Sequence, residues 1–364
     1  MNKITKIIIG IIVLVFVVWG GVKLFGAKDE KISEPIKIGV IAPLSGSVAF
    51  MGEGLRDAIL MAKDDLGKDN KRKYEIIFED GQLSPKDFAT AANKLINIDK
   101  VNAIIDITAA GNAVSPLAEK NKVLHFGIAN DQNIAKGDYN FLYTVPPTKT
   151  TKLFVDELQR RNIKKLGIFQ LKQEGVVALM NALKENLKNT DIEIVTDQTF
   201  NSEQKDFKSL IAKAKTSNPE IYLLLAVSPQ VEIIAKQIKE MSIKTPLTSI
   251  QSFELTKERD LFEGQWYVSA VEPQNNYTKK FQDKYGKSPS LGSMNGYDLF
   301  NLIVMASEAI KNSRLENESI KNSLMEIKNF EGVFGSATID KEGIIAFEPA
   351  LKMIKNGQPV MVTE

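Results

Sequence analysis

Cysteine is absent from the 364 residues. Disulfides, thiolate catalysis and cysteine-based zinc sites are therefore excluded. Histidine occurs once, as His125, between Leu124 and Phe126 in a stretch patterned as a strand. No serine or cysteine nucleophile elbow accompanies it, so it reads as a core residue rather than a catalytic base. The chain has no Walker A loop, no HExxH pair and no EF-hand loop. Gly52 and Gly54 lack the third glycine of a dinucleotide fingerprint and follow a loop rather than a strand. Charge of either sign is not in excess: 47 Lys and Arg face 45 Asp and Glu, for a net +2. Scattered as they are, these charges describe a solvated surface and no nucleic-acid footprint. Glu79-Asp80-Gly81 offers paired carboxylates, but a strand end turning into a loop explains it better. No coherent catalytic set emerges, and nothing calls for a cofactor or metal.

What is present is an ordinary globular composition, 43% apolar and 25% charged, in a chain of a length suited to two domains. The N-terminus carries Lys3 and Lys6, then 16 uncharged residues from Ile7 to Val22, then Lys23 and Leu24-Phe25-Gly26. A membrane-spanning helix needs roughly 17–25 residues, a length reached if Lys23 snorkels. No A-x-A-like cleavage site appears before Ala27. An uncleaved anchor over residues 7–25 is the expectation, with a cleaved signal as the alternative. Either way the basic end stays in the cytoplasm and the remainder is exported. Residues 1–26 form this segment, and the charged stretch 27–35 links it to the rest.

The remainder is organised around IKIGVIAPLSGSVAFMGEGLRDAILMA, residues 36–62. An apolar run, Ile36 to Ile41, is broken by Pro43, Leu44, Ser45, Gly46 and Ser47. Leu55, Ala58, Ile59 and Ala62 then recur at helical spacing. A buried strand feeding a helix through a Gly/Ser loop is the first unit of an α/β sheet, with ligands expected at the carboxyl ends of its strands. The alternation continues: strands at 74–78, 103–107 and 123–128, helices at 85–98 (capped by Ser84) and 112–120. The double proline Pro146-Pro147 marks a boundary. Beyond it the pattern restarts, with helices at 148–161, 175–188, 206–216 and 229–241. Strands are expected at 165–169, 192–196, 221–227, 247–250 and 265–270. Glu272-Pro273 gives a second break, a long helix covers 293–311, and 330–361 reads as strands.

The segment Ile38 to Gly46 (IGVIAPLSG), followed by Phe50-Met51-Gly52, resembles the opening of the leucine/isoleucine/valine-binding proteins, extracytoplasmic receptors of amino-acid ABC transporters. Gly296-Tyr297-Asp298 is similar to that family's a-Y-D-A segment. Phe330 to Gly335 and Thr338 to Gly343 are similar to its F-x-G-v-x-G and F-d-x-x-G ending. The resemblance implies a type I clamshell: two Rossmann-like lobes with parallel-rich sheets joined by a three-strand hinge. Lobe 1 is expected to comprise residues 36–147 with 272–347. Lobe 2 is expected to comprise 148–271 with 348–364, the crossings lying near Pro146, Val271 and Glu348. The absence of cysteine removes the lipid-anchor cysteine that many such proteins carry.

The same resemblance implies a cleft. Thr108 falls on the family's ligand-binding Ser, matched through Pro116-Leu117-Ala118-Glu119. Ala129 and Asn130 fall on its S-A-T loop, where hydroxyls and backbone N–H groups hold a ligand carboxylate. Phe50 stands at a cleft aromatic, and Ser45 lies in the first loop. On the second lobe the pattern departs: Glu174 replaces a cleft Tyr, and Gln204, beside Glu203, replaces the Glu that pairs with a ligand ammonium. Glu174 or Glu203 is left to supply that charge. Phe253 reads equally as pocket wall or core. The expectation is a non-enzymatic solute-binding protein that captures an amino acid or amide-like molecule and delivers it to an ABC permease. A ligand-sensing ectodomain acting through a partner protein is the alternative, and a hydrolase is the third reading.

Overall fold

The computed structural model describes residues 34–67, 70–273, 276–311 and 315–362. The expected N-terminal anchor lies outside them. Among the described residues no helix is long and apolar enough to cross a membrane.

The first half of the chain alternates strand and helix: β1 (Ile36–Ala42), α1 (Ala49–Asp64), β2 (Tyr74–Asp80), α2 (Pro85–Lys94), β3 (Ala103–Ile107), α3 (Ser115–Asn121), β4 (Leu124–Ile128) and β5 (Asn140–Thr144). The second series is α4 (Pro147–Arg160), β6 (Lys165–Leu171), α5 (Glu174–Leu187), β7 (Glu193–Phe200), α6 (Lys208–Thr216), β8 (Ile221–Leu225), α7 (Gln230–Glu240), β9 (Leu247–Ser249) and β10 (Trp266–Ala270). The last is α8 (Tyr277–Tyr285), α9 (Ser293–Glu308), α10 (Asn317–Met325), β11 (Phe330–Gly332), β12 (Gly335–Ile339), β13 (Ile344–Ala346), β14 (Pro349–Lys355) and β15 (Gln358–Met361).

These strands make an eight-stranded sheet in the order β11-β12-β13-β5-β4-β3-β1-β2, parallel from β13 to β2. A second, all-parallel sheet has the order β7-β6-β8-β9. An antiparallel ribbon, β10-β14-β15, continues it through the Ile250–Val268 bridge. The chain therefore passes between the two strand sets three times, after β5, after β10 and after β13. The passes run side by side: Phe347 N donates to Thr144 O (3.3 Å) and Val271 N to Glu348 O (3.4 Å).

Local sequence explains most elements. Helix α1 buries Leu55, Ala58, Ile59 and Ala62, the stripe expected from their spacing. Its glycines are there for contact, not for a nucleotide: a Cβ on Gly52 would lie 2.1 Å from the Pro43 carbonyl oxygen. Ser84 caps α2, accepting from Asp87 N at 3.4 Å, with Pro85 in the first turn. The helix expected at 112–120 is divided instead. A 3-10 turn covers Ala109–Ala113 and α3 starts at Ser115, because Pro116 has no N–H to extend a helix from Asn112. Helices α8 and α10 were not expected. Each buries only two apolar residues, Tyr277 with Phe281 and Ile320 with Leu324, too few to stand out from a charged background.

Buried polar groups tie the elements together. Lys352 on β14 is 4% exposed and bonds Glu254 (3.1 Å) and Glu272 (2.7 Å) beside the second crossing. Burial alone lowers its affinity for a proton, but the two carboxylates prevail and hold the ammonium above its ordinary range. Asp298 on α9 accepts from Tyr143 OH (2.7 Å) and from Val333 N (2.8 Å). Burial pushes this carboxyl up to about 7, against the pull of those donors. Between the ordinary carboxylate value near 3.9 and about 7, the folded protein thus holds a proton that the unfolded chain has lost. Stability from this group falls as pH rises through that window and levels off above about 7. Melting temperatures from pH 5 to 8 should show the decline, and Asp298→Asn should flatten it. An equal slope in both proteins would assign the decline elsewhere.

Candidate functional site

Parallel strands deliver their following loops to one end of the sheet. Here the loops after β1, β3, β4 and β5 and those after β6, β7, β8 and β9 enclose a cavity of about 490 Å³. The first wall is built from Thr108, Ala109, Ala129, Asn130 and Tyr143. The facing wall comprises Leu171, Val176, Leu225, Val227, Ile250 and Gln251. Asn295 from α9 and Phe347 from the third crossing complete it. A more open recess of about 660 Å³ adjoins it, sharing Asn130 and Glu174 and adding Asn112, Asp131 and Asn181.

Thr108 adopts φ 104° and ψ 163°. For a β-branched residue this is a true outlier, of a kind that costs roughly 1–3 kcal/mol and collects at ligand clamps. The surroundings impose it. Thr108 N donates to Ile128 O (3.0 Å), Thr108 O accepts from Gly111 N (3.1 Å), and its hydroxyl oxygen accepts from Ala110 N (3.3 Å). Beneath the turn, Asp106 and His125 are both fully buried, 2.8 Å apart through Nε2, and His125 Nδ1 lies 2.9 Å from Asn140 Oδ1. Burial raises the Asp106 carboxyl above its ordinary range against the opposing pull of His125. A Cβ on Gly111 would come within 2.6 Å of that carboxylate, so the glycine lets the turn rest on it. His125 is thus the core histidine expected, bracing the site from below.

Side chains bridge the cavity mouth. Asn130 Nδ2 donates to Gln251 Oε1 at 3.0 Å. Asn112 Nδ2 lies 2.6 Å from Glu174 Oε2 and 2.7 Å from Asp131 Oδ2. Ser47 Oγ reaches Ser228 O at 3.2 Å. Each bond joins the two strand sets except that to Asp131, so the geometry is that of a closed cleft.

Of the residues expected from sequence, Thr108, Ala129, Asn130 and Glu174 come together at this cavity. The other four do not line it. Phe253 has no exposed surface and stacks on Phe262 at 4.1 Å between centroids; it is core. Phe50 packs on the first lobe's core beneath the Lys257 ammonium, 5.6 Å from its ring centre. Ser45 hydrogen-bonds Asp80, whose carboxylate also takes the Leu44 and Gln82 N–H groups at 2.9 Å. Burial raises that carboxyl, yet the hydrogen bonds outweigh it and leave it below its ordinary value. Gln204 Nε2 donates to Asp206 O at 3.0 Å, a local turn bond. Sequence reasoning missed Gln251, Ser252, Asn112 and Asn295. The first two directly follow β9, and the rule that ligands sit at strand ends would have found them.

Fold and cavity together define a two-lobed solute-binding clamshell. The chain belongs to the periplasmic binding protein family, whose model matches residues 35–350. It is 25% identical over 333 residues to the Leu/Ile/Val-binding protein homolog 2 of Brucella abortus, covering 86% of this chain and 88% of that one. The isoleucine-bound branched-chain amino acid binding protein LivJ of Streptococcus pneumoniae superposes with a TM-score of 0.80 at 22% identity, covering 90% and 98% of the two chains. A benzoate-bound solute-binding protein of R. palustris gives 0.82 at 16%, covering 90% and 95%. The fold is thus the type I clamshell that the motifs implied. The family is one of binding proteins rather than enzymes, and membership carries an extracytoplasmic location.

The bridging bonds lead to a prediction. A hydrogen bond between neutral groups, such as Asn130–Gln251, contributes about 0.5–1.5 kcal/mol, and one to a carboxylate, such as Asn112–Glu174, about 1.5–3 kcal/mol. Replacing Asn112 and Asn130 together by Ala should leave folding intact but enlarge the ligand-free radius of gyration in small-angle X-ray scattering. An unchanged radius would mean that other contacts hold the cleft shut.

Proposed function

We propose that this chain captures a small solute in the cavity between its lobes by hinge closure and presents it to the permease of an ABC transporter, tethered to the membrane by residues 7–25. One observation carries the reading: a cavity of about 490 Å³ walled by both lobes, with the strained Thr108 turn on one side and Gln251 bridged to Asn130 on the other. Its volume suits a small organic ligand. A ligand that touches both walls stabilises the closed state by its differential contacts, which is all that closure requires. Lobe 1, residues 36–147 with 272–347, would supply the polar anchor, and lobe 2, residues 148–271 with 348–364, the lid. In this reading Thr108, Ala129 and Asn130 anchor the ligand, while Glu174 closes the mouth.

A thermal-unfolding screen of the full chain against amino acids, organic acids, amides and neutral solutes tests the proposal. Ligand at 100 times its Kd adds about 2.7 kcal/mol, a shift of roughly 5 °C in a protein of this size. For a ligand so found, Thr108→Ala should weaken binding by about 1–3 kcal/mol through the loss of one hydroxyl partner. Unchanged affinity would remove Thr108 from the site, and silence across every solute class would remove the proposal.

A further inference from the structure

The two walls of the cavity offer a charged ligand very different things. The first wall is rich in donors: the Thr108 hydroxyl, the Asn130 amide and backbone N–H groups. Among the described residues, the N–H groups of Ala109 and Asn130 meet no protein acceptor. The facing wall is mainly hydrocarbon from Leu171, Val176, Leu225, Val227 and Ile250. Its polar members beside Glu174 and Ser202 are Lys172, Gln173, Gln251 and Ser252. Among the described residues that line the cavity, Glu174 is the one carboxylate. It is exposed, shared with the outer recess and bonded to Asn112 at 2.6 Å. Asp131, in that recess, is occupied by Asn112 and by Asn133 N (3.0 Å). Of the second-lobe positions named from the sequence, Gln204 and Glu203 bring no negative charge to the lining. Gln204 is neutral and bonded to Asp206 O, and Glu203 is exposed and lies outside the lining.

An amino acid enclosed here would meet one carboxylate, that of Glu174, which is exposed and already takes the Asn112 amide, and it would share the lining with the Lys172 ammonium. An ammonium buried among the hydrocarbon side chains would go without an enclosed ionised partner, and neutral acceptors do not offset that desolvation. A carboxylate meets no such obstacle, because N–H and O–H donors alone stabilise its charged form. On the reading that this cavity is the solute site, we infer that its ligand is a monocarboxylate with an apolar body, branched aliphatic or aromatic, and no ammonium group. The donor wall holds the carboxylate, the hydrocarbon side chains cover the body, and specificity against zwitterions comes from the lack of an enclosed counter-charge.

Matched pairs test this by titration calorimetry on the full chain: leucine against 4-methylpentanoate, phenylalanine against 3-phenylpropanoate, and 3-methylbutylamine as the cation alone. The acids should bind at least about tenfold more tightly than their amino-acid partners, with the amine silent. Equal or tighter binding of leucine or phenylalanine overturns the inference and leaves the solute-binding reading standing. So does binding confined to uncharged solutes. Silence across all classes overturns both.

Discussion

A parallel strand can follow another in the same sheet only after the chain has crossed back over one face, and every such crossing leaves its ligand-ready loop at the strand's carboxyl end. The architecture follows from that constraint applied twice. The eight-stranded and four-stranded sheets each collect their loops at one end, and the three passes between them set those ends against each other around one cavity. Neither sheet lines that cavity alone. Thr108 and Asn130 come from one, Gln251 and Val227 from the other.

Holding such loops in unfavourable conformations requires rigid support. The Thr108 turn rests on Asp106, which is buried against His125, which in turn meets Asn140, so three adjacent strands share one hydrogen-bonded chain. Asp298 does similar work nearby, joining the cavity residue Tyr143 to the turn at Val333. Tyr143 is held well above its ordinary range by burial and by that carboxylate, so it remains a donor. Replacing one member of such a network strands the others in a place without water, which is why these groups brace the site rather than react in it.

The lobes meet through polar contacts at the mouth and continuous backbone at the hinge. Single hydrogen bonds such as Asn130–Gln251 are individually weak. The Lys352 cluster at the second crossing is of another kind: a fully enclosed cation between two carboxylates, tied to the turn that carries Gln251 and Ser252. On the proposed reading, a cleft held by such bonds above a firm base would be biased toward closure by a ligand whose net contribution is only a few kcal/mol.

The chain's own pattern determined a great deal. Hydrophobic periodicity set most strands and helices within a few residues, the double proline and Glu272-Pro273 marked two of the passes, and short motifs carried the family. Thr108, Ala129, Asn130 and Glu174 were named through the resemblance to the leucine/isoleucine/valine-binding proteins, and each stands just beyond a strand, where an α/β sheet gathers its loops. Helices α8 and α10 were not legible, since two buried residues make no periodic signal. Phe253 was undecidable from sequence: an aromatic after β9 suits a pocket or a core equally, and only packing put it against Phe262. The partners across the mouth were also beyond the sequence. Asn112 and Glu174 are 62 residues apart, and Asn130 and Gln251 are 121 apart. Such pairs exist only once two separately patterned sheets have been brought face to face. Local periodicity encodes which face each strand buries, but not which loops then meet, so the chemistry of the cavity was decided by tertiary structure alone.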